Sequence, residues 1–271
     1  MTRIYKILLF CLLCLMTTQS VFAEKHTKLS YIAVLTPMKS ESEAIAKYLT
    51  QKKRMTINGI TYTMGEYAGR HIILTATGIG KINAAAITSA LIVSFHPKAI
   101  LFGGIAGKLK PQLKLGDIIV GKSLYAVEHQ TITNKPSTDD INVHTNKPNP
   151  SLLFSSQKLL KIAKKIQGSG LIKEKIIFGR IATTDIYPPV KFSTQRAIDS
   201  HSIAISIEGF AVLAVGQIFN IPCIVVRGIS DNSSVSLRKK YQRSQYKITL
   251  TNKQVAENNV ALFLTSMIKQ L

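Results

Sequence analysis

Val225-Val226-Arg227-Gly228-Ile229-Ser230-Asp231 is an apolar run that carries one arginine and ends on a carboxylate. Ser206-Ile207-Glu208-Gly209-Phe210-Ala211 has the same character, with Glu208 closing one apolar segment and Gly209 opening the next. The chain has 14 Asp plus Glu against 35 Lys plus Arg. An acid at the end of a strand-like apolar run is a place where burial opposes charge, so it asks for a chemical reason. Short, nearly continuous apolar runs read as strands buried on both faces. Outward from these two segments, such runs alternate with helical patterns. Residues 31–35 read as a first strand and 40–52 as a helix opened by a Ser40–Glu43 capping box. Residues 60–67 and 71–77 read as a hairpin about Gly69, 80–95 as an alanine-rich helix, and 99–103 and 117–120 as buried strands. A polar loop over 130–150 precedes a helix at 151–166 and a strand at 175–182. Strands at 203–207 and 223–228 flank a helix that starts near Gly209, and a helix over 252–270 closes the chain. This alternation predicts an α/β domain with a largely parallel sheet.

The first 23 residues read as an export signal. Arg3 and Lys6 precede the apolar run 7–16, which is too short to span a bilayer, and Val21-Phe22-Ala23 fits a cleavage site. Residues 24–271 are then expected as one domain, exported and either periplasmic or secreted. Of the three cysteines only Cys223 survives such cleavage, so the mature chain has no internal disulfide, and Cys223 reads as a small buried hydrophobe. The net charge of +21 predicts loose attraction to anionic envelope surfaces. Lysines are scattered and tryptophan is absent, which argues against specific nucleic-acid binding. The six histidines show no metal-ligand spacing, and no metal or organic cofactor is expected. Gly78-Ile79-Gly80-Lys81 and Gly103-Gly104-Ile105-Ala106-Gly107-Lys108 invite a phosphate-loop reading, but neither has the required spacing. They remain turns of one of two kinds: plain strand-to-helix connections, or places where a ligand approaches the backbone.

Six segments, in order, resemble the nucleoside phosphorylase and nucleosidase superfamily, most nearly its methylthioadenosine/S-adenosylhomocysteine nucleosidase branch. They are Met38-Lys39-Ser40-Glu41, residues 77–85, Phe102 to Gly107, Leu115 to Val120, Ile207-Glu208-Gly209 and Val226 to Asp231. The resemblance implies a three-layer α/β sandwich around a central mixed, twisted sheet. It implies hydrolysis of the N-glycosidic bond of a purine nucleoside or thio-nucleoside, and a homodimer. It implies three catalytic acids: Glu41 for the attacking water, Glu208 for the ribose hydroxyls and Asp231 for the purine N7. Substrate contacts would come from Met38, Gly104, Ile105, Ala106, Tyr187 (stacking on the base), Ile207, Ser230 and Arg227.

The residue chemistry suits that reaction. The transition state has oxocarbenium character, and the purine leaves readily only when protonated. Asp231 must then hold its proton near neutral pH, which burial at a strand end favours. Glu41, in the first turn of a helix, is expected to stay ionised beside the helix dipole. No arginine lies between Arg70 and Arg180, and Lys39 and Lys81 lack the bidentate fork that grips phosphate, so water is favoured over phosphate as nucleophile. The family's pattern is broken at Pro188, which has no N–H to offer the base, and at Ser206, which stands where a carboxylate is common. Tyr125, Glu128 and His129 stand where Asp residues are common. Two alternatives stay open from sequence: a phosphate-dependent phosphorylase, and a non-catalytic nucleoside-binding or storage protein on the same fold.

Overall fold

The computed structural model describes residues 29–128, 141–142, 147–148, 150–187, 189–232 and 246–271. The expected signal segment, His129, Pro188 and most of the polar loop lie outside them.

One ten-stranded mixed sheet organises the chain. β1 (Tyr31–Thr36) pairs in parallel with β4 (Arg70–Ala76) on one side and β5 (Ala99–Lys108) on the other. β3 (Ile60–Tyr67) and β2 (Thr50–Ile57) extend the β4 side antiparallel to the edge. Beyond β5 come β12 (Cys223–Asn232), β6 (Ile118–Ala126), β10 (Ile176–Thr183) and β11 (Ala204–Ser206), and β9 (Leu152–Phe154) adds to β6. β7 (Ile141–Asn142) and β8 (Lys147–Pro148) form a separate two-residue ladder within the predicted polar loop.

Strand periodicity explains the layers. Ile32, Val34, Ile72, Leu74, Ile118, Val120, Ile224 and Val226 point to one core. There they meet α1 (Lys39–Ala46), α3 (Gln157–Gly168) and α6 (Tyr246–Lys269). Their neighbours Ala33, Leu35, Ile73, Ile119 and Val225 point the other way, to α2 (Lys81–Phe95) and α5 (Gly209–Ile218). Alternate residues of one strand feed two cores, which is why these strands read as unbroken apolar runs. The expected three-layer α/β architecture holds.

Five elements differ from expectation; one is β9, which takes Leu152–Phe154 from the start of the helix predicted over 151–166 and leaves α3 to begin at Gln157. The helix predicted over 40–52 ends at Ala46, and Thr50–Ile57 is edge strand β2. Every β2 residue up to Thr56 is exposed, so no alternation marks it as a strand, and Lys52, Lys53 and Arg54 guard a free edge. The Ser40–Glu43 box does not form; Glu41 reaches back to the Met38 N–H instead. The Gly103–Lys108 glycines are not a turn but the second half of β5. A Cβ on Gly103 would sit 2.5 Å from Leu264 Cδ1, so these glycines buy close packing rather than unusual φ. Finally, α4 (Lys191–Asp199) was not anticipated.

The sheet also closes on itself. β5 pairs with β1 over Ala99–Phe102, and its far end, Gly107–Lys108, pairs antiparallel with β11. β5, β12, β6, β10 and β11 thus form a closed ring; Glu41, Gly80 and Glu208 follow the carboxyl ends of β1, β4 and β11, and Asp231 lies at the carboxyl end of β12.

Candidate active site

Arg227 is the centre. It lies on β12 with its side chain wholly buried (0 % exposed), opposite Gly104 of β5. Its guanidinium sits over the Phe102 ring at 4.3 Å, a cation–π contact that supports a charge where water cannot. Nη2 donates to Glu208 Oε2 at 3.3 Å, while Nε and Nη1 have no hydrogen-bond partner among the described residues. A buried donor without a partner costs free energy, so Nη1 is a group held ready for something polar. Burial pushes the Arg227 pKa down; Glu208 and Glu41 push back and keep the charge.

Glu208 (3 % exposed) follows β11 and is the N-cap residue of α5. Its carboxylate does not cap that helix. Oε1 accepts from the Gly80 N–H at 3.3 Å and Oε2 from Arg227. Gly78 (φ 81°) and Gly80 (φ 97°) lie in the left-handed region open to glycine, and this turn aims the Gly80 N–H at Glu208. Both readings of that segment meet here: it is a strand-to-helix turn, and its backbone faces the site.

Glu41 (3 % exposed) comes from the first turn of α1, directly after β1. Oε2 accepts from Met38 N at 2.7 Å and Oε1 from Ile105 N at 3.0 Å. Burial pushes its pKa up to about 7, against the pull of Arg227 and of those two N–H groups. The expectation of a plainly ionised Glu41 is therefore corrected: desolvation outweighs the helix terminus, because the carboxyl is folded under β5 rather than left at the surface.

Gly104 makes this arrangement possible. A Cβ there would lie 2.4 Å from Arg227 Nη1, 2.9 Å from Pro37 Cδ and 3.1 Å from Glu41 Oε1. Arg227 and Glu41 thus approach from either side of the space a side chain would fill. Gly104→Ala is expected to displace the guanidinium, cost roughly 1–3 kcal/mol of stability from overpacking, and lower activity; thermal melting and steady-state kinetics check both.

The other expected residues lie around this centre. Ile105 and Ile207 are half-buried, Ala106 is buried, and Met38 supplies its N–H to Glu41. Ser230 is buried and donates from Oγ to Asp231 Oδ1 at 3.0 Å. Asp231 itself is exposed, so the expectation that burial holds its proton is corrected. It lies past the irregularity between Ile229 and Asp231, opposite Gly107 rather than Gly104. Glu41 and Glu208 share Arg227, and Asp231 stands further along the same strand. Tyr187 is 74 % exposed.

Three features escaped sequence reasoning. Lys81 Nζ is bound by Asp185 Oδ2 at 2.8 Å and Glu128 Oε2 at 3.4 Å, and Thr184 Oγ1 donates to Glu128. Phe102 is the platform for Arg227. Glu257 of α6 accepts from Ser40 Oγ at 2.7 Å. Only the last left a signal: Glu257 falls on the apolar stripe that includes Ala256, Val260, Ala261 and Leu264.

The fold is a mixed, partly closed α/β sheet with a buried arginine on β12 between two carboxyls, and the chain's sequence relations define its class. Residues 31–269 match the model of the Phosphorylase superfamily, and the chain belongs to that family. Within it, the chain is 30 % identical over 205 residues to the 5'-methylthioadenosine/S-adenosylhomocysteine nucleosidase of Shewanella pealeana, covering 75 % of this chain and 86 % of that protein. It is 26 % identical over 243 residues to the Marinomonas sp. protein of the same name, covering 89 % and 99 %. The fold matches a Neisseria meningitidis 5'-methylthioadenosine/S-adenosylhomocysteine nucleosidase with TM-score 0.75 at 22 % identity, over 90 % of this chain and 100 % of that one. It matches the Helicobacter pylori futalosine hydrolase with TM-score 0.74 at 22 % identity, over 90 % and 99 %.

Proposed function

We propose that this chain is an N-ribosyl purine nucleosidase that hydrolyses a nucleoside or thio-nucleoside of the methylthioadenosine type to free base and sugar. The observation that carries the reading is the unpartnered Arg227 Nη1, buried between Glu41 and Glu208. Arg227 and Glu41 hold a water at the anomeric carbon; Glu41, with its pKa near 7, takes the proton. Glu208 accepts from the ribose hydroxyls, contacts that strengthen as positive charge develops on the ring. Asp231, which accepts from Ser230 Oγ, donates at the purine N7; exposed in the free chain, it takes up that proton once the bound base excludes water around it, and Tyr187 covers the base.

Electrostatics supports water over phosphate. The buried cation is flanked by two carboxyls, Lys81 is occupied by Asp185 and Glu128, and Lys39 pairs with Glu43 at the surface. A phosphate dianion entering here meets negative charge on either side. The test is base release from methylthioadenosine, adenosine and inosine, with and without phosphate. Release that is equal in both arms supports hydrolysis; release that requires phosphate makes the enzyme a phosphorylase; tight binding without release makes it a binding protein. Asp231→Asn is expected to lower base release 10²–10⁴-fold, the usual range for a proton-transfer group, and unchanged release would remove Asp231 from the mechanism.

The reading includes export, a homodimer, and a basic exterior drawn to anionic envelope surfaces. These rest on the first 23 residues, the family and the net charge of +21. Amino-terminal sequencing of the mature protein, light scattering and salt-dependent binding to anionic vesicles test them in turn.

A further inference from the structure

We propose that Glu257, on the C-terminal helix α6, is a positioning residue for Glu41, acting through Ser40 and through its own negative charge. The inference rests on the reading of Glu41 as the water's proton acceptor.

Glu257 is 7 % exposed, and a buried carboxylate persists only where its partners repay desolvation. Its partners among the described residues are Ser40 Oγ at 2.7 Å and Lys253 Nζ, one helical turn back, at 3.5 Å. Ser40 is the residue before Glu41, in the first turn of a helix of only eight residues. That helix has one other charged pair, Lys39–Glu43 at 3.7 Å, which is well exposed and so weak. The Ser40–Glu257 bond is thus a partly buried polar tie that holds the first turn of α1 against α6. Where that turn sits decides whether the Glu41 carboxyl reaches both the Met38 and Ile105 N–H groups.

The same helix is pressed onto Arg227's strand. A Cβ on Gly228 would lie 2.6 Å from the Ala256 carbonyl oxygen, so α6 meets β12 backbone to backbone one residue from Arg227. Glu257 therefore links the two groups that face the water. A serine or asparagine would accept the Ser40 hydrogen bond without any charge to bury. What the carboxylate adds is a negative charge beside Glu41. The groups facing Glu41 are Arg227 from β12, the N–H groups of Met38 and Ile105, and Glu257 from α6 with Lys253 behind it. On α1 itself Lys39 and Glu43 face solvent. Of these only Glu257 acts in the same direction as burial, a contribution smaller than the opposing pull of Arg227.

Two variants separate the roles. Glu257→Gln keeps the size and an oxygen for Ser40 but removes the charge; Ser40→Ala keeps the charge but cuts the tie. Each is read by pH profiles of kcat and KM, by melting temperature, and by a carbon-13 glutamate NMR titration in which Glu41 is assigned through Glu41→Gln. In Glu257→Gln the acidic limb of kcat/KM and the Glu41 midpoint are expected to fall together by roughly a few tenths of a pH unit, with KM held. In Ser40→Ala, kcat is expected to fall about 10-fold from lost alignment, with the limb in place. Wild-type midpoints and wild-type kcat in both folded variants would overturn the proposal and leave Glu257 a tie between helices. If the wild type releases no base, the nucleosidase reading fails, while the NMR midpoint still decides whether Glu257 governs Glu41.

Discussion

Glu41→Gln is expected to abolish most base release while making the protein's stability less dependent on pH. The kinetic loss follows from removing the acceptor of the water's proton, a role worth about 10²–10⁴-fold. The stability effect follows from linkage. The folded pKa of Glu41 is raised from 4.5 to about 7, so between those values the folded chain holds a proton that the unfolded chain releases. The group's contribution is fully present below pH 4.5 and is lost as pH rises through 7. At pH 8 that loss is on the order of 3 kcal/mol. The glutamine variant never ionises, so its unfolding free energy should fall less between pH 5 and pH 8 than that of the wild type. It retains one oxygen for two N–H donors, a constant penalty of about 1 kcal/mol that cancels in the pH comparison. Denaturant unfolding of both proteins at the two pH values measures the difference. An identical pH dependence would mean that Glu41 titrates as an ordinary surface acid.

Arg227→Met is expected to have the largest effect on folding. Methionine fills similar volume over Phe102 but leaves Glu208 buried with only the Gly80 N–H and removes the cation that opposes Glu41 protonation. Stripping one partner from a buried ion pair costs roughly 3–5 kcal/mol. In a chain of this size that is a fall in Tm of about 10 °C. Adding Glu208→Gln to Arg227→Met should recover part of the loss, because the stranded charge goes with it; double-mutant melting gives the coupling. Base release should not return, since the buried donor aimed at the water is still missing. A single variant that melts with the wild type would show that the pair contributes nothing net.

Much of the fold was legible in the chain, and the failures share a cause. The runs at 31–35, 223–228 and 60–77 carry their own periodicity and turn chemistry, so strand and hairpin followed from neighbours in sequence. β2 carries none, because as an edge strand it buries nothing before Ile57; its pairing is decided by β3. The glycines of 103–107 were read as a turn because glycine marks both flexible backbone and crowded backbone, and only the positions of Leu264 and Arg227 tell which. At the site, Glu208 and Arg227 stand out as charges within apolar runs, whereas Glu41, in the polar stretch Lys39-Ser40-Glu41-Ser42-Glu43, is marked only by the family resemblance. Their protonation does not stand out, since it depends on what desolvates each group. Glu41 proved deeply buried and Asp231 exposed, the reverse of the environments assumed from their local segments.

Local order in the chain was enough to specify two alternating apolar faces, the succession of strands and helices, and the scarce acids around which a site had to form. Those properties depend on residues within a turn or two of each other. Closing β11 onto β5, passing α6 beneath β12 and placing Glu257 beside Ser40 join segments up to 217 residues apart. Such contacts are chosen by register, by space left where glycine has no side chain, and by the exclusion of water. All three are properties of the assembled core, and they set the charge that each acid carries.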